Sequence, residues 1–255
     1  MDSFSSTISD TLVLTKRNLL RYRRIPQLLI FSTIQPIMFL LLFAYVFGGA
    51  IKIPGQNYIN YLLPGILVET VLFGAMQTGI GLADDVSRGM IDRFRSLPMA
   101  RSAVLSGRTI TDLIRNAFTL AIMIGTGYLI GFRVQNGAFN FILGLLLTLL
   151  FAYAFSWISA AIGLLIKNIE TVQVAGFIWI FPIAFASSIF VPVDSMPAGI
   201  RALAAHNPVS YTVNTIRALA LGGPVGNNLW FSLIWIAAIL AVFVPLGVSA
   251  YRKIA

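Results

Sequence analysis

The sequence predicts an all-α integral membrane protein with six spanning helices. Of its 255 residues, 58% are hydrophobic and only 11% are charged, and the mean hydropathy is +0.86. The apolar residues form continuous runs of about 20 residues, the length at which a helix crosses the hydrocarbon core, without the period-two alternation of a β-barrel strand. We therefore predict one helical bundle and a single membrane domain over residues 1–255.

Six apolar runs are long enough to cross the membrane at a rise of about 1.5 Å per residue. The fourth run is longer than one crossing needs, which leaves room for tilt. The runs cover residues 28–48, 62–83, 113–131, 139–166, 171–191 and 229–250.

The Lys and Arg residues predict the orientation. Fourteen of the 18 lie before the first run, between the second and third or at the start of the third, between the fourth and fifth, or after the sixth. Cytoplasmic loops are enriched in these residues, so both termini are predicted to be cytoplasmic, in the plasma membrane. The net charge of +9 then reflects topology and contacts with anionic membrane lipids, and it does not indicate nucleic-acid binding.

Residues 1–27 are predicted to form an interfacial helix on the inner leaflet. Apolar residues recur at spacings of three and four, and basic residues crowd the end of the segment before Pro26. A basic tail that only sets topology is the alternative. The apolar stripe consists of Phe4, Ile8, Leu12, Thr15, Leu19 and Tyr22.

Glu69 lies inside the second run, where a carboxylate costs a few kcal/mol unless it faces protein, water or a cation. Phe73, Met76 and Gln77 follow on the same helical face. One interpretation is that these four residues line a substrate path and attract cationic amphipathic molecules. The other is that Glu69 reaches the interface or a neighbouring polar group.

The charged loop 84–112 contains a short amphipathic pattern. Met90, Ile91, Phe94 and Leu97 are at helical spacing, and Pro98 ends the pattern. We predict a helix that docks a partner protein and couples its motion to two spans, with a solvated connector as the alternative. The coupling residues are Asp92, Arg93, Phe94, Arg95, Ser96, Leu97 and Pro98.

The fifth run is rich in aromatic residues around Pro182, which is expected to kink the helix. Phe177, Phe181 and Phe185 either form a gate or stack on planar substrates, or they face lipid and pack within the bundle.

Residues 192–228 break the membrane pattern on the outer side. Their apolar stretches are too short to cross, so residues 200–205 and 209–221 are predicted to be two short re-entrant helices. Asn207 is expected to cap the second helix, with Pro208 at its first position. Tyr58, Tyr61 and Trp230 are expected in the outer interfacial belt.

Several short motifs, in this order and topology, carry a family resemblance. They are Leu63-Pro64-Gly65, the segment from Asp92 to Pro98, Met196-Pro197, Asn207-Pro208-Val209-Ser210-Tyr211, Arg217 and Gly222-Gly223. The chain resembles the permease subunits of ABC-2 type transporters, most closely the DrrB-like daunorubicin-resistance group of drug exporters.

The resemblance implies a dimer of permeases, alike or related, and a separate ATPase subunit that holds ATP and Mg and grips the inner loops. It also implies that spans two and five line the translocation path. The chain itself has no G-x-x-x-x-G-K-[ST] motif, so no cofactor and no catalytic or metal-ligating residue is expected in it.

The expected function is export of a hydrophobic or amphipathic drug or antibiotic. Export of a lipid, glycolipid or polysaccharide precursor is the alternative, and a passive channel or scaffold is a more distant one. An intramembrane enzyme is disfavoured, because it would need a second buried catalytic group beside Glu69.

Overall fold

The computed structural model of the chain describes residues 2–24, 27–51, 53, 55–90 and 101–254. Within these residues it is helical and contains no β-strand, so the prediction of an all-α protein is confirmed. The described residues form nine α-helices, numbered here in chain order: α1 Asp2–Arg24, α2 Gln27–Leu42, α3 Tyr58–Ser87, α4 Arg101–Leu129, α5 Ala138–Ile166, α6 Ile169–Phe185, α7 Ala198–Ala205, α8 Pro208–Leu221 and α9 Asn228–Ile254.

Three helices of the described chain are long and apolar enough to cross a membrane, namely α3, α5 and residues Asn228–Lys253 of α9. Two shorter apolar helical stretches are Thr33–Phe47, which ends in a π-helical turn after α2, and Ile169–Phe185. The chain is therefore of the helical membrane type by length and composition. The count of six spans stays a prediction.

Helix α4 is longer than the predicted third run. It begins at Arg101, so the run predicted from residue 113 is only its second half. Its first half carries Arg108 and Asp112, which pair across to α3. Because these charges have partners inside the protein, the helix continues through them.

Helix α3 is the central element of the bundle. Of its most apolar stretch, 83% is buried inside the chain, against 22% for α9. Small residues bring α3 very close to α5: a Cβ on Gly163 would collide with the carbonyl group of Gly79, and one on Gly79 with the backbone of Ser159. Small residues at helix crossings are typical of membrane bundles, where close packing replaces the hydrophobic effect.

Helix α6 ends at Phe185, before the predicted end of the fifth run at residue 191. The next residues leave the helix and are held by hydrogen bonds that involve side-chain hydroxyl groups. Ser187 Oγ donates to the Ala184 carbonyl at 2.5 Å, and the Ser188 amide donates to Ser210 Oγ at 3.0 Å. A helix of 17 residues is about 26 Å long, slightly shorter than the hydrocarbon core.

The predicted cap at Asn207 is confirmed. Its Oδ1 accepts a hydrogen bond from the Val209 amide at 2.9 Å, with Pro208 at the first helical position. Its Nδ2 donates to the carbonyls of Ile183 and Ala186, each at 2.7 Å. One side chain thus starts α8 and fastens it to the end of α6. The depth of α7 and α8 in the membrane stays a prediction.

Helix α1 packs against α4. Leu14 and Thr15 are buried there, and a Cβ on Gly107 would lie 2.9 Å from that of Leu14. Leu12 is 61% exposed. The residues of the predicted apolar stripe therefore do not share one environment: Thr15 packs against α4, whereas Leu12 lies on the surface. The interfacial role of α1 stays a prediction.

Candidate functional site

A small cavity of about 50 Å³ lies between α2, α3 and α4. Its walls combine polar and aromatic side chains, and it reaches the surface at the exposed residues Gln35 and Gln77. The lining residues are Gln35, Pro36, Glu69, Thr70, Phe73, Gly74, Gln77, Arg115, Asn116 and Thr119.

Glu69 is the acidic residue of this lining. It lies about 16 Å along α3 from Tyr58, at a helical rise of about 1.5 Å per residue, and only 2% of it is exposed. Its Oε2 accepts no hydrogen bond from the residues that the structure describes. A buried carboxyl oxygen without a hydrogen-bond partner is costly, so Glu69 is the least favourably placed group of this lining.

The cavity brings together three of the four residues predicted on the Glu69 face. Glu69, Phe73 and Gln77 line it, whereas Met76 does not. Met76 packs against α6, where Gly176 makes room: a Cβ on that glycine would lie 2.5 Å from Met76 Sδ. The helical period of α3 explains both positions, because Met76 lies on the adjacent strip of the helix.

The predicted aromatic residues of α6 lie beside the cavity and are absent from its lining. Phe177, Phe181 and Phe185 continue to Phe190 with ring centroids 5.4, 5.3 and 5.1 Å apart, and we call these four residues the phenylalanine row. Phe73 meets the row edge-on, 5.4 Å from Phe181. Phe181 and Phe185 are 39% and 43% exposed. One cavity residue thus connects the polar pocket to an exposed aromatic surface.

A charged network joins α3 and α4 at the end of the cavity nearer the connection between these two helices. Arg115 lies 3.8 Å from Asp112, one turn earlier on α4. Asp112 also accepts a hydrogen bond from Thr78 Oγ1 at 2.6 Å and lies 3.6 Å from Arg108, which reaches Asp85 at 3.8 Å. We call these five residues the α3–α4 network. Sequence patterns did not single out this network, because its contacts between α3 and α4 depend on how the two helices pack.

Arg115 connects the network to the cavity. Its Nη2 donates to the Gly74 carbonyl at 2.6 Å and to Asn116 Oδ1 at 3.3 Å, and all three residues line the cavity. Any displacement of α4 against α3 would therefore change both the ion pairs and the cavity wall.

Tyr58 and Tyr61 are buried by the protein itself, since they are only 7% and 5% exposed, and their place in the outer interfacial belt stays a prediction. Tyr58 donates to the Phe190 carbonyl at 3.0 Å, and Tyr61 to the Ser188 carbonyl at 3.1 Å. These two hydrogen bonds hold the segment after α6 against both rings. Trp230 is 66% exposed, as an interfacial residue would be.

Arg217 of α8 fastens this outer region. Its Nε donates to the Tyr61 carbonyl at 3.1 Å, its Nη1 to Asn214 Oδ1 at 3.0 Å and its Nη2 to the Ser188 carbonyl at 3.0 Å. The guanidinium lies 3.5 Å from the centre of the Tyr61 ring. Burial lowers the pKa of Arg217 to about 10, so the side chain stays protonated at neutral pH.

The predicted coupling segment, Asp92 to Pro98, lies outside the described residues. The structure describes its surroundings. Helix α3 ends at Ser87, and Arg88 donates to Asp84 Oδ1 at 2.6 Å, an interaction that raises the pKa of Arg88. Helix α4 begins at Arg101 and carries the α3–α4 network, so the segment joins the two helices that enclose the cavity.

The sequence profile of the family described as ABC-2 type transporter matches residues 9–221, which include the cavity, the α3–α4 network and the outer helices. The chain belongs to the ABC-2 type transporter family. The resemblance carried by the short motifs is thereby confirmed.

Individual relatives in this family are named as permeases. The chain is 33% identical over 249 residues to the daunorubicin resistance ABC transporter permease protein DrrB1 of Streptomyces coeruleorubidus, covering 98% of this chain and 88% of that one. It is 30% identical over 249 residues to the probable doxorubicin resistance ABC transporter permease protein DrrC of Mycobacterium tuberculosis, covering 96% and 89%. A putative transport permease, ycf38 of Cyanophora paradoxa, is 27% identical over 83% of this chain and 74% of its own length.

Proposed function

We propose that this chain is the permease subunit of an ATP-driven exporter of hydrophobic or amphipathic drugs or antibiotics. The observation that carries the proposal is its similarity, over 98% of its length, to a permease named for daunorubicin resistance. The sequence holds no nucleotide-binding motif, so ATP and Mg belong to a separate ATPase subunit.

The assembly that follows contains two permease copies, alike or related, and an ATPase subunit on the cytoplasmic side. Both termini of the permease are cytoplasmic in a plasma membrane, because most Lys and Arg residues flank the runs on that side. Membrane lipids surround the bundle, and a small amphipathic substrate passes through it.

Coupling runs through the connection between α3 and α4, because the predicted loop 84–112 is helical up to Ser87 and again from Arg101. The segment Asp92 to Pro98 receives the motion of the ATPase, and α3 and α4 carry it inward. The α3–α4 network supports this route, since its ion pairs hold the two helices together between the loop and the cavity.

The substrate path includes the cavity and the aromatic surface beside it. A cavity of about 50 Å³ is much smaller than a pocket for a drug-sized ligand, which measures about 300–1,000 Å³. The path therefore opens during transport, with α3 and α6 forming one wall. Its proposed residues are Glu69, Phe73, Met76, Gln77, Phe177, Phe181 and Phe185.

The proposal is tested by co-purifying the chain with a candidate ABC-type ATPase from the same organism and measuring vanadate-sensitive ATP hydrolysis. Amphipathic drugs should stimulate hydrolysis in the complex. Arg93→Ala should reduce the stimulated rate severalfold because it weakens the grip of the ATPase on the coupling segment. Arg201→Ala, which changes an exposed arginine predicted on the outer side, is the matched control.

Two results would change the account. A complex that assembles and hydrolyses ATP but responds to no drug would favour lipid, glycolipid or polysaccharide-precursor cargo. A chain that associates with no ABC-type ATPase would contradict the transporter-subunit proposal.

A further inference from the structure

The cavity contains one carboxyl group for which the described chain supplies no cationic partner. Glu69 is buried, and its Oε2 has no hydrogen-bond partner there. The other ionisable residue of the lining, Arg115, is matched by Asp112 at 3.8 Å within the α3–α4 network, which holds two cationic and two anionic side chains. A cation bound in the cavity would therefore give the Glu69 carboxylate the partner that the described chain does not supply.

The hydroxyl groups of the lining are arranged as acceptors. Thr70 Oγ1 donates its proton to the Ile66 carbonyl at 2.7 Å, and Thr119 Oγ1 donates to the Arg115 carbonyl at 3.1 Å. Each oxygen keeps a free lone pair for a donor in the cavity. Asn116 Nδ2 has no partner within the described residues and is available to a water molecule or to an oxygen of the ligand.

The size of the cavity selects a head group and excludes a whole drug. A cavity needs about 10–15 Å³ of free space to hold one water molecule, so a volume of about 50 Å³ accommodates a small polar group. An ammonium group fits this volume and supplies donors to the carboxylate and to the hydroxyl lone pairs.

Phe73 places an aromatic surface directly beside this polar pocket. It lines the cavity and also meets Phe181 edge-on, with ring centroids 5.4 Å apart. From there the phenylalanine row extends to residues that are about 40% exposed. An amphipathic molecule could therefore place its polar head beside Glu69 and its apolar body along the row.

We propose that the Glu69 cavity binds the protonated amine of an amphipathic molecule, whose apolar part lies on the phenylalanine row. This inference rests on the proposed function and specifies the substrate class: the exporter prefers amines that are protonated at neutral pH to neutral analogues of the same shape. A lipid with an ammonium head group presents the same chemistry and is separated from a drug-like amine in the test.

The test is direct binding to the full chain in nanodiscs of phosphatidylcholine. The probes are the fluorescent primary amine dansylcadaverine and its N-acetyl derivative, which keeps the ring system and loses the charge. The amine should bind more tightly than the acetylated probe. Glu69→Gln should weaken amine binding by about tenfold or more, because it removes a buried charge partner, and should leave the acetylated probe unchanged.

Three further variants separate a lost charge from a lost fold. Glu69→Asp keeps the charge and should retain the preference for the amine. Phe73→Ala should weaken the binding of both probes alike, because it removes the contact of the Phe73 ring with their apolar part. Glu170→Gln changes an exposed carboxylate at the start of α6 and should bind both probes as the wild type does. Thermal unfolding of each variant identifies any that is misfolded.

Adding phosphatidylethanolamine to the nanodiscs identifies the source of the ammonium group. If phosphatidylethanolamine leaves the binding of dansylcadaverine unchanged, the natural ligand is a drug-like amine. If the lipid weakens this binding in the wild type and has no such effect in Glu69→Gln, the same site holds a lipid. Equal binding of the amine to wild type and Glu69→Gln, in a folded variant, overturns the inference. Since no ATPase is needed, that result would leave the export proposal standing.

Discussion

At the scale of single residues, buried polar side chains decide which helix faces meet. Thr78 is completely buried on α3, and its hydroxyl donates to Asp112 of α4 at 2.6 Å. Arg217 fastens α8 to the start of α3 and to the segment after α6. Each contact joins elements that are distant in the sequence, so each predicts a measurable loss of stability on substitution.

Thr78→Val keeps the shape of the side chain and removes its hydrogen bond to Asp112. Losing a bond to a charged acceptor should cost about 1.5–3 kcal/mol of unfolding free energy. The melting temperature of the purified chain in detergent should fall by several degrees. Thr126→Val is the control, since the Thr126 hydroxyl bonds only to the Ile122 carbonyl of its own helix. Equal melting temperatures of the two variants would show that the hydrogen bond from Thr78 to Asp112 adds no stability.

Arg217→Lys keeps the charge and loses the planar fork that reaches three acceptors. The expected loss is about 2 kcal/mol, because an ammonium group cannot reproduce this geometry or stack on Tyr61. Scanning fluorimetry should show a lower melting temperature than for Arg252→Lys, which changes an exposed arginine in the last turn of α9. A lysine variant as stable as the wild type would show that the hydrogen bonds of the Arg217 guanidinium add no stability.

At the scale of elements, glycine positions determine how closely helices approach. Gly163→Ala should destabilise the bundle, because the added methyl group would collide with the Gly79 carbonyl. Gly125→Ala is the matched control on α4, where no atom lies within 4 Å of the new methyl group. It should be neutral or stabilising by up to about 1 kcal/mol, from helix propensity. The melting temperature should therefore fall in Gly163→Ala and stay the same or rise in Gly125→Ala. An equal fall in both variants would contradict this packing.

The elements also show what the sequence could predict. Continuous apolar runs predicted α5 and α9 within a few residues, because every residue of such a run favours the membrane interior. The start of α4 was missed, since its charges are stabilised only by partners on α3. The end of α6 was missed because the Ser188 amide bonds to Ser210 of α8, a contact that a single-helix pattern does not show.

The same limit applies to the candidate site. Helical periodicity placed Phe73 and Gln77 on the Glu69 face, where the structure also has them. It could not reveal that Arg115 reaches this cavity, that Phe73 contacts the phenylalanine row, or that Tyr58 and Tyr61 are buried. Each of these depends on how separate helices pack, and a single helix pattern carries no such information.

At the scale of the whole molecule, the central claim is that ATP hydrolysed by another subunit moves an amphipathic compound outward through this chain. Helix α3 provides a physical route for this coupling, since it lies at the centre of the bundle, lines the cavity, contacts α4 through the network and leads into the loop that follows Ser87. Motion delivered to the loop therefore reaches the cavity through one helix.

The most direct test is transport in proteoliposomes that contain this chain and its ABC-type ATPase, with the ATPase facing the outside medium. A fluorescent amphipathic amine should accumulate inside the vesicles only when ATP is added, and vanadate or omission of either subunit should abolish the accumulation. Accumulation that does not depend on ATP, or ATP hydrolysis without accumulation of any amphipathic compound, would contradict the account.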